Sequence, residues 1–144
     1  AILPRPMPLF LHVLLYALVS AVFSTFFGGT AWDAVAAAGS GVLLSFAVLG
    51  MQKLRLNEVF SAFACSALTG AAAAALTACG VGAHLDQILI GNIMLLIPGL
   101  AFTASLRDMI SGDTISGLLG LCEAVLKALA IAAGFGAALL LFGR

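Results

Sequence analysis

Charge is nearly missing from this chain. Only 8% of its 144 residues are charged, six basic against six acidic, too few to coat a water-facing surface. Hydrophobic residues make up 63% and mean hydropathy is +1.22, the composition of an integral membrane protein. With zero net charge and scattered basic residues, a nucleic-acid surface and a polybasic lipid patch are both excluded. Cysteine is scarce as well. Cys65, Cys79 and Cys122 stand too far apart for a CxxC metal or redox pair, and each sits among small or apolar residues where a thiol packs as a small hydrophobe. His12 and His84 have no second ligand at metal spacing, so no metal and no cofactor is expected. No Ser-His or Cys-His arrangement shares a face, which leaves no catalytic residue to name. Proline is concentrated in Pro4-Arg-Pro-Met-Pro8, a run too short and proline-rich for a signal-peptide n-region. Because the sequence opens on Ala1 without a Met, a segment upstream is expected to have been lost or cleaved.

What is present is apolar sequence in lengths suited to a bilayer, where a span needs about 20 residues. Five candidates follow, at about residues 9–27, 34–51, 59–79, 87–106 and 114–142, in a single all-α transmembrane domain. The first ends at Gly28-Gly29, beside Trp32 as an interfacial anchor. Asp33 follows at the same mouth, where capping of the second helix is the first explanation. The second span stops at Gln52-Lys53-Leu54-Arg55, and Gly80-Val-Gly82 closes the third. Ala62, Ser66, Gly70, Ala74 and Ala78 recur every fourth residue along the third span and give it a smooth face for a close neighbour. Arg5, Lys53, Arg55 and Arg107 fall on alternate loops, while residues 28–33 and 80–86 hold no Lys or Arg. The positive-inside rule therefore puts the N-terminus in the cytoplasm and Arg144 outside.

The densest set of polar groups lies at residues 91–127. Pro98 has no N–H for the carbonyl of Met94 and Gly99 adds freedom, so the fourth helix should be kinked or split there. Counting from Gln87 at about 1.5 Å per residue places the break roughly at mid-membrane. A split helix would expose the N–H groups of about Leu100 to Phe102, whose positive end suits a carboxylate. On a helical wheel Asn92, Gly99 and Thr103 fall within about 40°, with Arg107 a little further round. This stripe reads either as a solute pathway or as a kinked helix whose Asn92 and Thr103 hydrogen-bond a neighbour; Arg107 and Asp108 read equally as an interfacial anchor. On the fifth span Ser116, Gly120, Glu123, Lys127 and Gly134 fall within about 60°. Glu123 and Lys127 are in the favourable order for an i,i+4 ion pair. The pair is either structural, or Glu123 changes protonation or meets solute during transport. Asp113 is a good N-cap residue, and Asp33, Asp108, Asp113 and Glu123 are the candidates for proton coupling.

Two segments carry a family resemblance: Phe27-Gly-Gly-Thr-Ala-Trp-Asp33, and Leu95-Leu-Ile-Pro-Gly99 followed by Thr103, Arg107-Asp108, Gly112-Asp113, Ser116-Gly117 and Glu123-Ala124. In their order and spacing these residues resemble the threonine/serine exporter family (ThrE and YjjP-like membrane proteins), specifically its first five-helix membrane unit. The family's soluble N-terminal cytoplasmic segment is not in this sequence. The resemblance implies a bacterial inner-membrane subunit for secondary export, driven by the proton-motive force, of hydroxy amino acids such as threonine and serine or of C4 dicarboxylates such as succinate. It also implies a second five-helix unit (ThrE second-half or YjjB-like) and a higher oligomer. Two other classes compete. One is a scaffold or assembly subunit that transports nothing. The other is an intramembrane aspartyl protease, since Ile110-Ser-Gly-Asp113 approaches a GxGD element but carries Ile at its first position.

Overall fold

The computed structural model describes residues 6–142. Arg5 and Arg144, both used to orient the chain, lie outside them. The described residues form six helices: α1 (Leu9–Phe26), α2 (Ala31–Lys53), α3 (Glu58–Ala78), α4 (Leu85–Leu96), α5 (Gly99–Ile110) and α6 (Thr114–Phe142). α1, α2, α3 and α6 are each long and apolar enough to cross a membrane. α4 and α5, bent by 49° at their junction, make a fifth crossing if they count as one span. The chain is a multi-pass membrane protein.

Local chemistry sets the boundaries. Gly28 closes α1 in the left-handed region at φ 98°, which costs glycine nothing. Thr30 and Asp33 form a reciprocal capping box. The box starts α2 at Ala31, three residues before the expected 34, because Asp33 is its third residue and not its predecessor. Asn57 caps α3 by accepting the Val59 N–H at 2.9 Å.

Packing divides the helices into two groups. α1 lies against α2 and α4, α3 lies mainly against α6, and α2 joins the groups through α3. Ala36, Ala37, Ala73, Ile88, Leu89, Ile131 and Phe135 form the core where they meet. The small-residue face expected on α3 is its contact with α6. A Cβ placed on Gly134 would collide with Ser66 Oγ and lie 2.5 Å from the Phe63 carbonyl oxygen. One placed on Gly70 would stand 2.8 Å from the Ala138 Cβ. Such approach matters because apolar burial provides no net attraction between helices in lipid, and van der Waals contact must replace it.

This register has a long-range consequence. Lys127 pairs with Glu58, the first residue of α3, so residues 114–126 run past the end of α3 by roughly 20 Å at helical rise. Over that length α6 is accompanied by α5, which packs on α6 and on no other helix. Gly117 and Gly120 let Ser105 and Met109 close in. The two strands of helix make a hairpin that projects from the bundle.

The Pro98-Gly99 break is present, between α4 and α5. Ile97, Pro98 and Gly99 share a groove with Ala124, Val125, Ala128 and Leu129, the stretch of α6 that contains Lys127. The break therefore sits near the level at which α3 begins.

Gly134→Val should force α3 and α6 apart at a cost of about 1–3 kcal/mol, seen as a lowered midpoint for thermal unfolding in detergent. Gly136→Ala, where a new Cβ meets nothing within 4 Å, should leave the midpoint unchanged.

Candidate functional site

The polar residues singled out in the sequence do not gather in one place. Asn92 is fully buried. Its Oδ1 accepts from Ser20 Oγ at 2.9 Å, and its Nδ2 donates to Ser40 Oγ at 2.7 Å and to the Ile88 carbonyl at 3.0 Å. It ties α1, α2 and α4 together, and Ser40 also donates to the Ala36 and Ala37 carbonyls. Thr103 lies beyond the bend, exposed on α5, with its hydroxyl turned to the Gly99 and Leu100 carbonyls. A helical wheel drawn through residues 92–107 assumes one continuous helix, and the 49° bend breaks that assumption.

The N-terminus of α5 is narrower than expected. Gly99 N–H donates to the Ile97 carbonyl at 2.8 Å, and Phe102 N–H donates to that of Pro98 at 3.0 Å. Phe102 is thus the first residue with an intrahelical bond, and the unpaired donors are Leu100 and Ala101. The groove beside them, about 430 Å³, is lined by Thr103 and otherwise by apolar side chains, Pro98 and Gly99.

Asp33 is saturated. Its Oδ1 accepts the Ala83 and His84 N–H groups at 2.7 and 3.0 Å, and its Oδ2 accepts the Thr30 N–H and hydroxyl, each at 2.8 Å. His84 Nδ1 stands 2.9 Å from Oδ2 and must carry the proton there, since a carboxylate only accepts. This cluster latches the α3–α4 loop to the start of α2, at the end of the bundle that holds Trp32.

On the hairpin, Arg107 and Asp108 border a shallow depression with Leu100, Thr103, Ala104 and Ser111. Asp113 is exposed and caps α6, accepting the Ser116 N–H at 3.3 Å. Ser116 and Glu123 are exposed too. The Glu123–Lys127 pair anticipated from their spacing gives way to Lys127–Glu58. The α3–α6 register brings Glu58 to the Lys127 ammonium, while Glu123 faces outward.

Charge and concavity coincide at the opposite end from Asp33. A cavity of about 390 Å³ opens between α2, α3, α4 and α6. Arg55, Glu58 and Lys127 line it with Gln52 and Ser61, over a floor that includes Met51, Ala62, Cys65 and Leu96. The Lys127 side chain is 23% exposed and that of Glu58 70%, so the pair stands at the cavity mouth and within reach of water. Among the described residues no group of His, Cys, Asp and Glu is arranged to hold a metal ion. Cys65 is buried, while Cys79 and Cys122 face outward.

A family model described as ThrE, putative threonine/serine exporter, matches residues 1–142. The chain belongs to the ThrE family. No curated protein and no solved structure matches it. ThrE is a family of exporters and not of enzymes, which accords with reading Asp113 as a helix cap. In this ThrE protein the cavity offers two cations, one anion, an amide and a hydroxyl to a solute of a few heavy atoms. Sequence reasoning found Lys127 and missed Glu58, Arg55, Gln52 and Ser61, which lie in or beside a loop that reads as ordinary interface. The signal available was Arg55 itself, placed just past a helix end where glycine is usual.

Saturated and open polar groups should differ on mutation. Asn92→Ala should cost about 1–2 kcal/mol of stability in detergent, whereas Lys127→Met should cost less than about 1 kcal/mol because the pair is solvent-accessible. Thermal unfolding of both variants checks the ordering.

Proposed function

We propose that this chain is the first five-helix membrane unit of a secondary exporter of small polar metabolites, loaded through the cavity that holds Arg55, Glu58 and Lys127. The observation that carries this reading is the meeting of these charges at one concavity, in a membrane protein of the ThrE family. Polar and charged groups that converge on one concavity are what a site for a small polar solute presents. Lys53 and Arg55 at one end of the bundle, with Arg107 on the hairpin beyond it, favour a cytoplasmic location for that end. The cavity then faces the pool from which solute is exported, across the bacterial inner membrane, with the N-terminus inside and the C-terminus outside. Hydroxy amino acids and C4 dicarboxylates are the solute classes, and the proton-motive force is the proposed drive.

Residues Asp108, Asp113 and Glu123 on the hairpin are the proposed proton-coupling groups. Asp33 remains a weaker candidate, because every change in its protonation would break the latch it holds. The hairpin also supports a second unit. Leu100, Ile110, Ile115 and Leu119 are its most exposed apolar residues, and a second five-helix chain seated there would enclose Glu123 and complete the path past Pro98, Gly99 and Thr103.

Reconstitution into liposomes with the second unit tests the reading. Labelled threonine, serine or succinate should move down an imposed gradient, faster with an opposing proton gradient. Lys127→Gln should slow transport at least tenfold, and Glu123→Gln should remove the response to the proton gradient. Undiminished transport by Lys127→Gln would exclude the cavity from the path, and no transport of any of the three solutes would leave the scaffold reading in its place.

A further inference from the structure

We infer that Arg55 is the anchoring cation of a binding site for one carboxylate in this cavity, with Glu58 placed to meet an ammonium group on the same solute. The inference rests on the exporter reading and specifies its site.

The first observation is the charge count at the cavity wall. Arg55 and Lys127 are positive and Glu58 is negative, one positive charge in excess. Lys127 is neutralised by Glu58. The other ion pair among the described residues is His84–Asp33, at the far end of the bundle, so Arg55 meets no carboxylate. A planar guanidinium with five donors is suited to bind a carboxylate through two parallel hydrogen bonds.

The second observation is backbone conformation. Arg55 has φ 50°, the one non-glycine residue in the left-handed region among those described. Its N–H donates to the Gln52 carbonyl at 3.3 Å, so it occupies the position after the α2 C-cap that glycine normally fills. Glycine there would be less strained. A side chain held in an unfavourable backbone region at the wall of a charged cavity points to a use for that side chain.

The third is the position of the anion. Glu58 stands at the mouth with most of its surface free. It can accept an ammonium without surrendering Lys127, because two carboxylate oxygens serve several donors. A second carboxylate on the solute would instead confront Glu58, and like charges at a few ångströms repel. The arrangement therefore selects a solute with one carboxylate and one ammonium over a dicarboxylate.

Binding to the full chain purified in mild detergent tests this, with L-threonine, its alcohol analogue L-threoninol, which has no carboxylate, and succinate as probes. Wild-type protein should bind L-threonine at least tenfold more tightly than either of the others. Arg55→Gly should unfold at the same temperature as wild type or higher, because it relieves the left-handed strain, and yet bind L-threonine at least tenfold more weakly. Arg55→Lys should recover part of the loss, and Glu58→Gln should narrow the gap between L-threonine and succinate. L-threonine binding unchanged in Arg55→Gly would overturn the assignment, as would tighter binding of succinate than of L-threonine by wild type. Wild-type protein that binds none of the probes also overturns it. Liposome transport by the same protein reconstituted with the second unit then separates the two readings, since transport that persists retains the exporter and discards this site.

Discussion

The contact between α3 and α6 fixes the rest of the molecule, because two helices in lipid adhere only where their backbones can approach. Ser66 and Gly70 on one side and Gly134 and Ala138 on the other provide that approach at two successive turns. Their registry leaves no freedom along the axis. Sliding α6 by one turn, about 5.4 Å, would put side chains where Gly134 now admits Ser66 and would carry Lys127 away from Glu58. The same registry sends residues 114–126 past the start of α3 and gives α5 a single helix to pack on. Cavity, ion pair and hairpin are thus three consequences of one close contact.

Polar groups in this protein fall into two kinds, and the distinction is energetic. Asn92 has three of its four hydrogen-bonding positions engaged by protein, and Asp33 accepts from four backbone and hydroxyl donors besides the His84 ring. Drawing either toward a solute would leave buried donors or acceptors unpaired, at about 1–3 kcal/mol each. Arg55, Glu58 and Lys127 border open space and can exchange water for solute at little cost. Asp33 lies at the end that holds Trp32, Asn92 inside the bundle, and the open groups at the end that holds Lys53. The bundle between them carries alanine and glycine at its contacts, which suits helices that must stay close without interlocking deeply.

Sequence periodicity and capping rules located all the long helices to within a few residues, and the smooth face of α3 was readable from its four-residue spacing. The Pro98-Gly99 break was legible for the same kind of reason, since the loss of an N–H is a local event. What could not be read was direction across that break. Asn92 and Thr103 share a wheel only if the helix continues, and it does not. Partnership was equally hidden: Asp33 and His84 are 51 residues apart, and Glu58 lies in a loop-edge sequence with nothing to mark it as the counter-ion of Lys127. Spacing of four favoured Glu123 for that part. Helix registry, which sequence does not state, decided for Glu58.

The hairpin raises a problem that neither water nor lipid solves. Leu100 and Ile110 are 88% and 87% exposed, and leaving such side chains in water forfeits roughly 25 cal/mol for each Å² that could be covered. Arg107, Asp108, Asp113 and Glu123 lie among them, and a charge set in hydrocarbon costs about 2.5–3.5 kcal/mol or more. A surface that is both strongly apolar and charged is satisfied by a second protein surface of the same mixed character. The bundle itself cannot supply one, because the α3–α6 registry has already placed the hairpin beyond its reach. The mixed character of the hairpin surface is thus what supports the proposed second unit, on grounds separate from family resemblance.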